Sequence, residues 1–243
     1  MEKNKERIAK RLARAGIASR RAAEDFIRQG RVCVNGEKLE TPAFLVEETD
    51  EITVDGKPIK VPLSARMWCY YKPRGLLTTH KDPKGRATVF EHLPAYLPRV
   101  ISIGRLDLNS EGLLLLTTDG MLARRIELPS TGWKRRYRVR IHGKMTSEII
   151  EKIKNGLVIK GVKYAPAEIE EEKEQSGGSN RWIKITLTEG KNREIRKMMA
   201  FFGLEVSRLI RVSYGPFQLG NLKEGELREI PSKIIREQIP CVL

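Results

Sequence analysis

A single carboxylate ahead of a long apolar run is the first feature of this chain that could do chemistry. Gly104 to Gly120 reads GRLDLNSEGLLLLTTDG. A small residue, the cation Arg105 and the lone acid Asp107 lead into four leucines, Leu113 to Leu116. The stretch closes on Thr117, Thr118 and the turn pair Asp119-Gly120. An unbroken apolar run bounded by turn signals is expected to form a strand buried on both faces. Asp107 then sits in the loop just before a rigid platform, where a polar side chain can be held at one spot. Taken locally, it serves equally as a turn residue or as a reactive group. The rest of the chain narrows the chemistry. Cys33, Cys69 and Cys241 are scattered, as are His80, His92 and His142, so no metal site is expected. Neither a G-x-G-x-x-G nor a G-x-x-x-x-G-K-[ST] loop is present, and there is no G-x-S-x-G elbow or H-E-x-x-H helix. No cofactor, nucleotide included, is therefore expected. That leaves what Asp, Tyr, Arg and Lys can do.

Charge points to the partner. The chain has 243 residues and a formal net charge of +15, from 46 basic against 31 acidic side chains. The cations cluster in three runs: residues 5–31, the segment KRRYRVRIHGK at 134–144, and residues 191–211. Three such runs on one basic chain favour a polyanion, nucleic acid above all, over three ordinary solvated faces. The charged N-terminus lacks a signal-peptide core. No apolar run approaches the roughly 18 residues of a membrane span. A cytoplasmic chain with no membrane partner is the expectation, and a monomer is the default.

The elements that must position these residues fall into two groups. Ile8, Leu12 and Ala15 recur at helical spacing and Gly16 can stop that helix. Ser19 can cap a second helix that buries Ala22, Ala23, Phe26 and Ile27 and ends at Gly30. Val32 to Val34 runs into the hairpin turn Asn35-Gly36, and Ile52 to Val54 repeats the signal at Asp55-Gly56. Arg11, Arg14, Arg20, Arg21 and Arg28 are left on polar faces, where cations can bind successive phosphates. Residues 1–62 are read as this small domain, 63–66 as a linker and 67–243 as a larger one. In the larger domain strands are expected at 68–71, 76–79, 137–141, 157–172, 181–189, 206–212 and 227–230. A polar loop is expected at Gln175–Ser179. Helices are expected from Gly120 through Glu127 under an Asp119 cap, at 146–155, and from Asn192 to Phe202. Short turns between neighbouring strands imply a mainly antiparallel α+β fold. The strand with Arg136, Arg138 and Arg140 and the basic helix after Asn192 could form two walls of one groove.

The segment RLARAGIASRRAAEDFIRQGRVCVNG closely resembles the S4 RNA-binding domain, because helix, stop, second helix and hairpin follow in that order. With GRLDLNSEGLLLLTTDG, RRYRVRI and EGKNREIRKMMAFFGLEVSRLIRVSYGPFQL behind it, nearly the whole chain is similar to the bacterial ribosomal-RNA pseudouridine synthases of the RsuA/RluB family. The match is nearer to the large-subunit, RluB-like type. Departures are mild: Asn109 and Ser110 stand where Asp and Thr are expected. The resemblance implies a small S4-like helix and hairpin domain before a mixed-sheet synthase domain. It also implies an isomerase acting without cofactor on a uridine of ribosomal RNA, 23S rather than 16S. The substrate is free RNA or a ribosome-assembly particle.

The same resemblance assigns roles. Asp107 is the nucleophile, attacking the ribose or the base. Arg196 pairs with it by a bidentate contact that keeps it ionised. Tyr137 stacks on the extruded uracil. Arg105 fills the space left by the base, which costs least to flip from an unpaired loop. Lys191 and Arg193 join the arginines of the first domain in binding RNA. Two other readings compete: an RNA-binding assembly factor on a synthase scaffold, and an S4-bearing methyltransferase.

Overall fold

Successive leucines of one strand feed two different cores. In the computed structural model, which describes residues 5–60, 64–172 and 180–239, Leu114 and Leu116 join a cluster with Tyr137, Val139, Ile183, Ile195 and Met198. Leu113 and Leu115 turn the other way, onto Ile103, Leu122, Ile126, Tyr214 and Ile235. The period-two alternation of a strand makes this split unavoidable once both faces are covered. All four leucines are fully buried.

The N-terminal unit comprises β1 (Glu6–Arg7), α1 (Ile8–Arg14), α2 (Arg20–Arg28), β2 (Val32–Val34), β3 (Glu37–Lys38), β4 (Leu45–Val46), β5 (Ile52–Val54) and β6 (Lys57–Pro58). Ser19 caps α2 by accepting from the Ala22 N–H at 3.1 Å. Strands order as β3-β2-β5-β6, and β1 pairs with β4, a short pairing that the hydrophobic pattern does not announce. Ile8, Leu12, Ala23, Ile27, Val32 and Val46 make its own core. One expectation fails here. Arg11 is 7% exposed, its Nε donates to Glu6 at 2.6 Å and its Nη2 to the Glu47 carbonyl at 3.3 Å. Position 11 lies beside Leu12 on the inward stripe of α1, and the buried Glu6 needs a counter-charge there. Arg11 therefore ties the unit together and is not presented to RNA. Arg14 shares Glu6 at 2.8 Å and stays half-exposed. Arg20 and Arg21 are exposed at the start of α2.

The larger unit carries β7 (Met67–Lys72), β8 (Ile101–Ile103), β9 (Glu111–Thr117), α3 (Gly120–Glu127), β10 (Arg135–His142), α4 (Ser147–Lys154), β11 (Leu157–Ile159), β12 (Val162–Tyr164), β13 (Glu168–Glu171), β14 (Asn180–Leu187), α5 (Glu194–Phe201), β15 (Glu205–Tyr214), β16 (Phe217–Gln218), β17 (Leu227–Ile230) and α6 (Ser232–Gln238). The main sheet runs β13-β14-β10-β15-β9-β7-β17, with β8 on β9 and β16 on β15. Every pairing in it is antiparallel except β9 with β15. The expected mixed, mainly antiparallel α+β fold is present. Ala65 and Arg66, read as linker, already belong to this unit: Ala65 is in its core, and Arg66 pairs with Glu229 at 2.6 Å. Leu63 and the Gln175–Ser179 loop lie outside the described residues.

Three local expectations change. Leu76–Thr79 is not a strand; it is a turn segment with one isolated bridge, Leu77 to Thr88. The helix expected from Asn192 begins at Glu194, because Arg193 adopts the left-handed conformation at φ 51°. The even-numbered arginines of β10 do not wall the cleft described below. They face away from Tyr137, and Arg138 is engaged by Glu172 at 2.8 Å and by the Trp182 ring.

Candidate active site

The loop from Gly104 to Ser110 has its polar backbone fixed with unusual completeness. Thr78 Oγ1 donates to the Leu106 carbonyl at 2.8 Å and accepts from the Leu106 N–H at 3.3 Å. The Asp107 carbonyl accepts from the Ser110 N–H at 3.0 Å, and the Leu108 carbonyl from the Gly75 N–H at 2.8 Å. Arg196 Nη2 donates to the Asn109 carbonyl at 2.9 Å, and Lys72 Nζ to the Ser110 carbonyl at 2.9 Å. Five consecutive carbonyls thus each have a donor, which leaves the segment one backbone conformation. Asp107 projects from it, half-buried, with a carboxylate that makes no hydrogen bond or ion pair among the described residues.

The carboxylate faces a cleft of about 550 Å³. Tyr137 of β10, Leu187 of β14, Ile195 of α5 and Leu209 of β15 provide its apolar lining. Arg105, Lys191 and Arg193, all exposed, stand at its edge. Of the residues singled out from sequence, Asp107, Tyr137, Arg105, Lys191 and Arg193 are therefore brought together. The cleft forms where β9 begins beside β15. Gly112 sits there at φ 97°, and a Cβ on it would lie 2.4 Å from the Arg211 carbonyl. Only glycine permits this approach.

Arg196 is close by but not as expected. Its guanidinium does not form a bidentate pair with Asp107. Nη1 donates to the Val206 carbonyl at 2.8 Å and Nη2 to Asn109, while Nε is buried without a partner among the described residues. The two planar donor ends are occupied by main chain, so the residue grips the loop two positions beyond Asp107. Burial and the nearby Arg193 charge lower its pKa, and the Asp107 carboxylate pulls the other way. Its cationic field reaches the carboxylate across the loop it holds.

Four residues of this site were missed by pattern reading. Lys72 is fully buried at the end of β7 and bridges the Pro73 and Ser110 carbonyls, both at 2.9 Å. Burial pushes its ammonium down to about 8, against the pull of Asp107 and Glu111. In the sequence it reads only as the polar stop before Pro73. Arg135 and Arg211 line the cleft too, hidden respectively in a basic run and an apolar strand. Glu194 opens α5 and accepts from the Lys191 N–H at 2.9 Å. Its carboxyl is pushed up to about 7, first by burial and then by the facing Glu189. Burial also works against the Glu189 charge, but the Lys191 ammonium and the Ala165 N–H more than offset it. Glu194 is therefore the more readily protonated of the two carboxyls, and its Oε1 is buried with no hydrogen-bond partner among the described residues.

This has a consequence for pH. Glu194 titrates at 4.5 when unfolded and at about 7 when folded. The folded state binds more protons across that window, so Glu194 makes stability fall as pH rises through it. Glu194→Gln, fixed in the neutral form, is expected to be more stable than the wild type above pH 7 and to lose that slope. Thermal melts at successive pH values check this, and a variant keeping the wild-type slope contradicts it.

A carboxylate on a clamped loop, opposite an aromatic in a cleft edged with cations, on a mixed sheet behind a small two-helix unit, suits an enzyme that acts on a base within a polyanion. Residues 66–201 match the RNA pseudouridylate synthase family, and residues 6–52 match the S4 domain. The chain belongs to the RNA pseudouridylate synthase family, enzymes that isomerise uridine to pseudouridine. It is 51% identical over 232 residues to an uncharacterized RNA pseudouridine synthase of Rickettsia felis, covering 96% of this chain and 100% of that one. It is 45% identical over 222 residues to the ribosomal large subunit pseudouridine synthase B of Salmonella typhimurium, covering 88% and 75%. A solved pseudouridylate synthase superposes with a TM-score of 0.68 at 25% identity, covering 96% of this chain and 99% of its own.

Proposed function

We propose that this enzyme converts one unpaired uridine of 23S ribosomal RNA to pseudouridine, with Asp107 as nucleophile. The observation that carries the mechanism is the Asp107 carboxylate, unpaired among the described residues and held by a hydrogen-bonded loop in a cleft that Tyr137 also lines. A preorganised nucleophile needs no reorganisation at the moment of attack. The flipped uracil enters beside Tyr137, with Leu187, Ile195 and Leu209 excluding water from the slot. Attack by the Asp107 carboxylate on carbon 1′ of the ribose breaks the glycosidic bond, whose electron pair leaves on N1 of the uracil; the freed base turns, and its carbon 5 attacks carbon 1′ and displaces Asp107. The proton on carbon 5 must then reach N1, and the Tyr137 hydroxyl relays it within the slot, accepting one proton as it gives up its own. Arg196 acts through the Asn109 carbonyl, keeping the loop that carries Asp107 in place, with its positive charge close to the carboxylate. Arg105 at the rim occupies the gap in the RNA, while Lys191, Arg193, Arg14, Arg20 and Arg21 hold phosphates.

The choice of 23S over 16S rests on the large-subunit relatives named above. Pseudouridine mapping of both ribosomal RNAs from a strain lacking this gene tests it. One 23S position is expected to revert to uridine, returning when the gene is restored. A lost 16S site instead would reassign the substrate.

A further inference from the structure

Arg135 and Arg211 meet in the cleft with no ion-pair partner among the described residues. Arg211 lies on β15 in register with Tyr137 of β10 and is 2% exposed. Its Nε donates to the Leu113 carbonyl at 2.7 Å, while Nη2 is buried with no partner among the described residues. Arg135 lies two positions before Tyr137 on the same strand. Its Nη2 donates to the Tyr214 hydroxyl at 2.9 Å and its Nη1 to the Thr188 carbonyl at 3.2 Å. The Tyr214 ring takes both guanidinium groups, 4.6 Å from Arg135 and 5.2 Å from Arg211. Neither arginine forms an ion pair among the described residues. Glu127 also lines the cleft, but its carboxylate accepts from the Gly104 N–H at 2.5 Å and forms no ion pair with either arginine among the described residues. Two cations drawn from water onto one aromatic ring, one with an idle buried donor, leave charge uncompensated.

We propose that Arg135 and Arg211, braced by Tyr214, form an anion subsite for a phosphodiester of the RNA strand beside the reacting uridine. The proposal rests on the RNA reading above. Two guanidinium groups on one ring bring charge and donors that the two free oxygens of a phosphodiester can accept. A neutral uracil carbonyl would satisfy one donor and leave both charges unbalanced. The shared register of Arg211 with Tyr137 puts this anchor next to the base slot. A phosphate gripped there fixes the sugar against Asp107 while the base turns, which is positioning rather than sequence readout.

The salt dependence of binding tests it. Wild type, Arg211→Met, Arg135→Met and Arg211→Lys are titrated with unmodified, in vitro transcribed 23S ribosomal RNA at several salt concentrations. Losing one phosphate contact is expected to reduce the log–log slope by about 0.7 in each methionine variant, and Arg211→Lys restores it. Should Arg211→Met fail to fold in a thermal melt, Arg135→Met carries the test, since its side chain is only half-buried. Weaker binding with unchanged slope in the methionine variants would overturn the subsite, because it marks contact with a neutral group. A wild type that binds no RNA would defeat the RNA reading and the subsite together. Salt-dependent wild-type binding with unaltered variants would defeat the subsite alone.

Discussion

Asp107→Asn is expected to abolish pseudouridine formation, by at least ~10⁴-fold in kcat on the scale of lost nucleophiles, while RNA affinity stays near that of the wild type. The two halves follow from different observations. The carboxylate has no hydrogen-bond or ion-pair partner to lose among the described residues, and the loop that carries it is held by its carbonyls and not by its side chain. Asparagine therefore fits the same space without unfolding anything, but it cannot supply the electron pair that displaces the base. Single-turnover assays with in vitro transcribed ribosomal RNA read the first half, and filter binding reads the second. Wild-type turnover in the variant would remove Asp107 from the mechanism. Lost affinity with retained turnover per bound complex would make it a binding residue.

Lys72→Met is expected to lower kcat about 100-fold, the cost of a reacting group displaced by about an ångström, with little change in RNA affinity. Methionine matches the length of the lysine stem but leaves the Ser110 and Pro73 carbonyls without their donor. The loop end next to Asp107 is then free to shift. The charge also matters for pH. Burial brings Lys72 from 10.5 in the unfolded chain to about 8 in the folded one. Between those values the unfolded state holds the extra proton, so wild-type stability gains from Lys72 as pH rises. The full difference amounts to about 3 kcal/mol, at roughly 1.4 kcal/mol per pH unit. Activity should move oppositely, falling above about pH 8 as the clamp loses its charge beside Asp107. Both slopes are absent in Lys72→Met. A variant with wild-type kcat and an intact alkaline limb would show that Lys72 only fills space.

Charge and pattern carried a large part of this protein. The basic runs announced a polyanion, and the turn signals around Leu113–Leu116 announced a strand covered on both sides. The hairpins at Asn35-Gly36 and Asp55-Gly56, and the caps at Ser19 and Asp119, were readable because each depends on neighbours within four residues. Ordered motifs placed Asp107, Tyr137, Lys191 and Arg193 in one candidate site, and the fold brings all four to one cleft.

What stayed hidden depends on contacts between residues far apart in the chain. Arg11 looked like a surface cation until the buried Glu6 claimed it. Arg196 looked like the partner of Asp107, yet its fork closes on carbonyls of residues 109 and 206. Lys72, Arg135 and Arg211 carry no local mark, because burial of a charge is set by what packs over it and not by its neighbours in sequence. The stretch that begins at Gly104 determined by itself that a carboxylate would precede a buried strand. Only the tertiary structure decided that five carbonyls around that carboxylate would be tied down from Gly75, Thr78, Lys72, Arg196 and Ser110. Backbone polarity must be satisfied wherever water is excluded, and the donors that satisfy it here come from three separate parts of the chain.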